Sequence, residues 1–322
     1  MQKRKFESID KAAPVIGFGA WGIGGGTPGG TSYGNISEED ALACILAAYN
    51  AGMRFFDTSP AYGYGKSEAR LGLALADKRQ DVVIATKGGL YDYDAGPDFS
   101  IESLERGLDK SLYNLGTEYV DIFQLHNPPT DLAHAVELKR FLNAITADGR
   151  AKTVGISVKS PGDAFALLEA HPFTTLQLNL NMLDVRALEC GLLDLCGAKN
   201  ISVLARTPLC FGFLSLAIDE NTSFDAGDHR AHWPRRQLAL WASGAREAQA
   251  IAKKHDPENV SAVARALRFC LLHPAVKAVL TGPMTPSEAE ENAAAGNLPP
   301  LDKACLNEMI ALNTLSSFFL KK

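Results

Sequence analysis

Short runs of β-branched and other apolar residues alternate along the chain with longer stretches whose apolar positions recur at helical spacing. This is the pattern of parallel strands joined by crossover helices. Eight such runs begin near Val15, Met53, Val82, Val120, Thr153, Leu176, Ile201 and Lys277. All intervals but the last fit one strand–helix unit, and that regular beat predicts a closed (β/α)8 or TIM barrel rather than two unrelated domains. No linker or low-complexity tract divides residues 1–322, so one barrel domain is expected.

Helix boundaries are legible in several of the longer stretches. Ser37 is placed as an N-cap, with Leu42, Ile45, Leu46 and Tyr49 on one face and Gly52 just past the end; a second helix runs from Ser100 through Leu104, Leu108 and Leu112 to Gly116. The interval from about Arg206 to Gln237 is rich in Gly, Asp, His and Arg, and reads as a long loop over the barrel mouth after the seventh strand. The residues before Val15 are too few for a domain and are expected to form a hairpin that closes the barrel bottom.

Composition narrows the function. With 46% hydrophobic residues in 322, the chain can bury a large core, and its formal charge of −5 comes without basic runs. Neither a nucleic-acid nor a membrane partner is therefore expected. The start MQKRKFESID lacks the apolar stretch of a signal peptide, which places the protein in the cytoplasm. The cysteines Cys44, Cys190, Cys196, Cys210, Cys270 and Cys305 show no C-x-x-C pair, so neither a disulfide nor a cysteine-bound metal is expected.

In such barrels the chemistry lies at the carboxyl ends of the strands. Asp57 follows MRFF, Lys87 follows VVIAT, His126 follows VDIFQL, Ser157 follows TVGI, Gln177 and Asn181 lie in TLQLNLN, and Arg206 follows ISVLA. A carboxylate and an ammonium at the ends of apolar strands would be costly alone, which predicts that Asp57 and Lys87 pair across the mouth. An ion pair that merely plugs the barrel top would look the same. The glycine-rich turn after Asp57 can fold Tyr62 over that mouth, with Tyr64 as a rival. A phenol beside an ammonium is expected to titrate lower than usual and to serve as acid or base, with His126 holding a substrate oxygen.

The run Asp57-Thr58-x-x-x-Tyr62-Gly63-x-Gly65-x-Ser67-Glu68, then Ile84-Ala85-Thr86-Lys87, then Gln124-Leu125-His126, resembles the aldo-keto reductase superfamily. The likeness extends to Gly17-Phe18-Gly19-Ala20-Trp21-Gly22, Gly155-Ile156-Ser157, Gln177 with Asn181, and Pro208-Leu209, and so covers nearly the whole chain. It implies a metal-free oxidoreductase that moves a hydride between a nicotinamide dinucleotide and a small carbonyl compound or alcohol. In that scheme Tyr62 is the acid/base, Lys87 and Asp57 tune it, and His126 orients the carbonyl.

The resemblance also implies a cofactor groove formed by Gly19, Trp21, Ser157, Gln177, Arg206, Pro208, Leu209, Gly282, Met284, Glu288, Glu291 and Asn292. Two departures bear on it. Val158 stands where the family often has an Asn that binds the nicotinamide amide, and Arg206 stands where an aromatic usually carries the ring. After the eighth strand, Gly282 and Glu288 replace the Lys and Arg of members that prefer NADP, which favours NAD, with NADP as the alternative. Thr285, Pro286 and Glu288 also form a capping box that needs no cofactor to explain it. Because cells keep NAD mostly oxidised, an NAD preference tilts the direction toward alcohol or aldose oxidation. A mouth with Trp21, His126, Asn127 and either His229 or Trp233 suits a sugar.

Other readings remain open at this point: an NADPH-dependent carbonyl reductase, a nicotinamide-binding regulatory subunit of a larger complex, and a Schiff-base aldolase using Lys87. Gly17-x-Gly19-x-x-Gly22 matches the Rossmann fingerprint by letter, but Gly24, Gly25, Gly26, Gly29 and Gly30 follow before any helix, so it reads as a barrel-mouth loop. His229 and His232 have metal-like spacing yet lack a third ligand, and a solvated loop is the simpler expectation.

Overall fold

The apolar runs form the staves of a closed barrel. The computed structural model describes residues 1–27, 31–256 and 258–320, and places Gly29 and Gly30 outside the described residues. Two strands, β1 (Lys3–Phe6) and β2 (Lys11–Pro14), make an antiparallel hairpin. The barrel strands are β3 (Ile16–Gly19), β4 (Phe55–Asp57), β5 (Val83–Gly88), β6 (Val120–His126), β7 (Ala151–Ser157), β8 (Thr175–Asn179), β9 (Ser202–Arg206) and β10 (Val276–Thr281). They pair in parallel, in chain order, and close through β10 onto β3. Each begins within two residues of its expected start.

Around them lie α1 (Glu38–Asn50), α2 (Lys66–Leu75), α3 (Ile101–Leu115), α4 (Val136–Ala147), α5 (Pro161–Ala170), α6 (Arg186–Glu189) and α7 (Leu192–Ala198). The shell is completed by α8 (Arg235–Lys254), α9 (Ala262–Cys270), α10 (Pro286–Ala295) and α11 (Ala304–Leu315). No helix among the described residues is long and apolar enough to cross a membrane.

Strand periodicity sorts the side chains. Phe55, Val83, Ala85, Ile122, Leu204 and Ala278 fill the barrel interior together with Phe6 and Ala13 of the hairpin, whose Phe6 stacks on Phe55 with ring centroids 5.3 Å apart. The hairpin thus closes the bottom. Phe56, Ile84 and Phe123, one residue out of phase, face the helices. Two residues beyond the interior set come Asp57, Lys87, Gln124 and Arg206, and four beyond Ile122 comes His126, so the polar residues at the strand ends inherit the inward face.

The helix caps fall where expected: Ser37 accepts from the Asp40 N–H and Ser100 from the Ser103 N–H, and Gly116 ends α3 in the left-handed region at φ 60°. The packed face of α1 differs from the expected one. Ala41, Cys44, Ile45 and Ala48 are buried while Leu46 is 36% exposed, because α1 lies against the short side chains of α10 and small residues let the two helices approach closely. The segment after β9 contains two 3-10 turns, Cys210–Ser215 and His229–His232, before α8 begins.

Strands β7 and β8 pack tightly at Gly155, where a Cβ would collide with the Thr175 side chain and come within 2.8 Å of its carbonyl oxygen. Gly155→Ala is therefore expected to destabilise the barrel by about 1–3 kcal/mol through overpacking. A urea-unfolding midpoint equal to that of the native protein would show that this gap can relax.

Candidate active site

A cavity of about 920 Å³ opens at the carboxyl ends of the strands and extends past β10. Of the residues expected to form the site, Asp57, Tyr62, His126, Asn127, Gly19, Trp21, Ser157, Gln177, Arg206, Pro208, Leu209, Gly282, Met284, Glu288, Glu291 and Asn292 all line it. Lys87 stands just behind the wall, 1% exposed.

Tyr62 reaches the mouth through a turn. Its N–H donates to the Ser59 carbonyl at 3.0 Å, and Gly63 follows at φ 59°, where an added Cβ would run into the Gly24 carbonyl. The loops after β3 and β4 therefore interlock. The other motif residues of this stretch lie outside the cavity: Ser67 donates to the Ala20 carbonyl at 2.7 Å, and buried Glu68 accepts from Thr86 at 2.6 Å and Asn114 at 3.0 Å. They tie the start of α2 to β3, β5 and α3.

At the centre Lys87 Nζ donates to Asp57 Oδ1 at 2.6 Å, to the Thr58 carbonyl at 2.8 Å and to Tyr62 Oη at 3.1 Å. Asp57 Oδ2 accepts from Gln124 Nε2 at 3.0 Å and Gln177 Nε2 at 2.7 Å. Gln177 is thus a partner of Asp57 as well as a wall residue, and Ser157 Oγ lies 3.4 Å from its Oε1. His126 sits edge-on to Tyr62, ring centroids 6.0 Å apart, with Nδ1 3.2 Å from Ser59 Oγ.

Burial lowers the Lys87 ammonium from its usual range, and Asp57 pulls it back up. Burial also pushes His126 well below the usual imidazole value, and the charges of Lys87, Arg206 and Lys159 act in the same sense, so its ring is neutral at physiological pH. For Tyr62 the expected direction is reversed. Burial, and then the Asp57 charge, hold the phenol above its ordinary value, with Arg206 offsetting only part. The ammonium that was to lower it is itself neutralised by Asp57, so desolvation of a phenolate prevails. Tyr62 in this site is a protonated donor.

Arg206 is half-buried, and desolvation lowers its guanidinium; one NH2 donates to the Val158 carbonyl at 3.0 Å and its buried Nε has no partner. Asn127, held at φ 54° by the turn after β6, likewise leaves a buried Oδ1 unpaired. Two polar atoms in the wall therefore await a ligand.

At the far end, Thr285 caps α10 by accepting from the Glu288 N–H at 3.2 Å, and the Glu288 carboxylate accepts from the Met284 N–H at 2.7 Å. The cavity has two cations among the described residues. Arg206 is at the barrel end, and Arg230 is paired with Asp228 at 2.6 Å.

The loop after β9 is fastened to the loop after β3: Tyr33 pairs with Asp228, and the His229 N–H donates to the Ser32 carbonyl at 2.9 Å. His229 is not solvated as expected. Its ring packs among Trp21, Tyr33, Phe211 and Trp233, and burial pushes it down to about 4. Neither His229 nor Trp233 lines the cavity, so neither is placed to make the substrate contact expected of one of them. Among the described residues no group of three metal-binding side chains converges, and all six cysteines are free, five of them buried.

The sequence reading does not name Tyr93, and it names Gln124 only within the Gln124-Leu125-His126 motif, without a role. Tyr93 lines the cavity from the loop after β5, close to the Trp21 indole, and burial pushes its phenol up. A tyrosine in a Gly- and Asp-rich loop at a strand's carboxyl end was the available signal. For Gln124 the signal was its place in phase with Ile122 and His126.

The Aldo/keto reductase family model matches residues 15–314. L-galactose dehydrogenase of Arabidopsis thaliana is 30% identical over 291 residues, which cover 87% of this chain and 83% of the relative. The NADH-specific methylglyoxal reductase of Escherichia coli (strain K12) is 27% identical, covering 96% and 98%. Among solved structures, the glycerol dehydrogenase AKR11B4 from Gluconobacter oxydans superposes with a TM-score of 0.81 at 26% identity, covering 99% and 97%. With the match spanning nearly every strand and helix described above, the chain belongs to the aldo/keto reductase family of oxidoreductases.

Proposed function

We propose that the chain, acting as one barrel domain, interconverts a small polyhydroxylated carbonyl compound, such as an aldose, and its alcohol, using NAD in preference to NADP. The observation that carries this reading is the placement of Lys87 Nζ within hydrogen-bond distance of both Asp57 Oδ1 and Tyr62 Oη at the cavity wall.

A nicotinamide dinucleotide suits the residues present. The cavity volume lies in the range of ligand sites, Ser157, Gln177 and Arg206 offer polar groups at the barrel end, and the backbone around Gly282 and Met284 faces the other. Bound there, the cofactor supplies or accepts the hydride. Tyr62 then donates its phenolic proton to the carbonyl oxygen, the Lys87 ammonium stabilises the phenolate left behind, and neutral His126 orients that oxygen. Alcohol oxidation runs the same proton back to Tyr62.

NAD is favoured because the cation on this side of the cavity, Arg230, stacked on the Tyr33 ring beside Gly282, is already paired with Asp228 at 2.6 Å, and the Glu288 carboxylate would repel a 2′-phosphate. A polyhydroxylated substrate is favoured by the unpaired Asn127 Oδ1 and the Trp21–Tyr93 pair at the mouth. A partly aromatic rim fits a sugar face, and the unpaired Asn127 Oδ1 and Arg206 Nε can bond its hydroxyls.

Tyr62→Phe is expected to retain NADH binding, followed by nicotinamide fluorescence, while losing turnover of an aldose panel by about 10²–10⁴-fold. Unchanged turnover would remove Tyr62 from the chemistry. For the cofactor, kcat/KM is expected to favour NAD(H), and Glu288→Gln to raise kcat/KM with NADP(H) by roughly three- to tenfold. A native preference for NADP(H) would overturn the assignment of NAD.

A further inference from the structure

Asp57 has more donors than an ion pair needs. Its Oδ1 takes the Lys87 ammonium, and Oδ2 takes two neutral amides, Gln124 and Gln177, from different strands. Gln177 lines the cavity and has a ligand-facing reason to be polar. Gln124 does not line it and is fully buried, and its Oε1 has no partner. An unpaired buried amide oxygen is a cost that a methionine of similar volume would avoid, so the value of this side chain lies in its donor.

Two protonation states compete in a buried pair of this kind. In one, Lys87 is an ammonium and Asp57 a carboxylate; in the other the proton has crossed, breaking an Nζ–H bond and forming an Oδ1–H bond, to leave a neutral amine and a neutral acid. Burial favours the uncharged state, and hydrogen bonds to the carboxylate favour the charged one. We propose that Gln124 is a positioning residue that keeps the proton on Lys87: by donating to Oδ2 it stabilises Asp57 as a carboxylate, so that Lys87 donates to Tyr62 Oη instead of accepting from it.

The two states differ for Tyr62. An ammonium stabilises the phenolate, whereas a neutral amine would accept the phenolic hydrogen bond and hold the proton on Tyr62. The other groups facing the pair are His126 from β6, Arg206 from β9 and Tyr93 from the loop after β5. His126 and Tyr93 are neutral, and the Arg206 charge opposes the ammonium while favouring the carboxylate, so the Thr58 carbonyl on Nζ and the two amides on Oδ2 hold the charged pair. Gln124 does so without adding charge of its own.

The inference rests on the reading of Tyr62 as proton donor and acceptor, but its test does not require turnover. In protein labelled with 15N at lysine Nζ, the Lys87 signal is identified by its loss in Lys87→Met. In Gln124→Met the ratio of ammonium to amine in the Lys87 signal at neutral pH is expected to fall about tenfold, the worth of one hydrogen bond to a charged group. Gln177→Met, the other donor to the same oxygen, is expected to move it the same way if Gln124→Met does not fold. In glyceraldehyde reduction by NADH, the limb assigned to Tyr62 should move to higher pH in Gln124→Met. A lower melting temperature with the Lys87 ratio unmoved would overturn the proposal and leave Gln124 a packing residue. If the ratio moves but Tyr62→Phe turns over glyceraldehyde like the native protein, the proton placement stands and the role of Tyr62 falls.

Discussion

The Lys87–Asp57 pair is the constraint around which the mouth of this barrel is organised. Both side chains are withdrawn from water, and removing two charges from water costs several kcal/mol for each ion, returned only if geometry is close and remaining donors and acceptors are satisfied. The pair meets that condition with contributions from four places: Gln124 on β6, Gln177 on β8, the Thr58 carbonyl after β4, and the Tyr62 hydroxyl. The two glutamines arrive because their strands are in register and their side chains are on the inward phase. A slip of one residue in any of these strands would turn its contribution outward.

The rest of the cavity is built to different rules. At the barrel end it is polar, charged and tightly bonded. Toward the loops it becomes aromatic, roofed by the fastening of Tyr33 to Asp228 and by the ring cluster around His229, which burial keeps neutral. Past β10 it is lined by backbone and by the acidic first turn of α10, whose carboxylate is already engaged in capping. The nicotinamide dinucleotide proposed for this cavity would lie along that gradation, its ring at the barrel end and its adenosine past β10.

What could be read in the sequence, and what could not, follows from the same physics. Strands buried on both faces are unbroken apolar runs, so β5, β6 and β9 announce themselves, and the polar residue that ends each run marks the mouth. Hydrophobicity alone is a poor guide to the packed face of α1, where the small residues Ala41, Cys44 and Ala48 are buried and Leu46 is exposed. The direction of the Tyr62 shift was misread because proximity to an ammonium was counted without the carboxylate that cancels it. His229 reads as a polar loop residue until distant rings are seen to surround it. Gln124 is legible as inward-facing but not as a donor to Asp57, since that contact joins strands that are not neighbours.

The account turns on Lys87 and Tyr62 acting as one proton-handling unit, and a double-mutant cycle measures that directly. In kcat/KM for aldose turnover, Lys87→Met and Tyr62→Phe are each expected to be severe, and the double variant no worse than the more severe single one, because the second substitution removes a partner that has already lost its purpose. Losses that multiply in the double variant would mean that the two residues act independently, and would contradict the account.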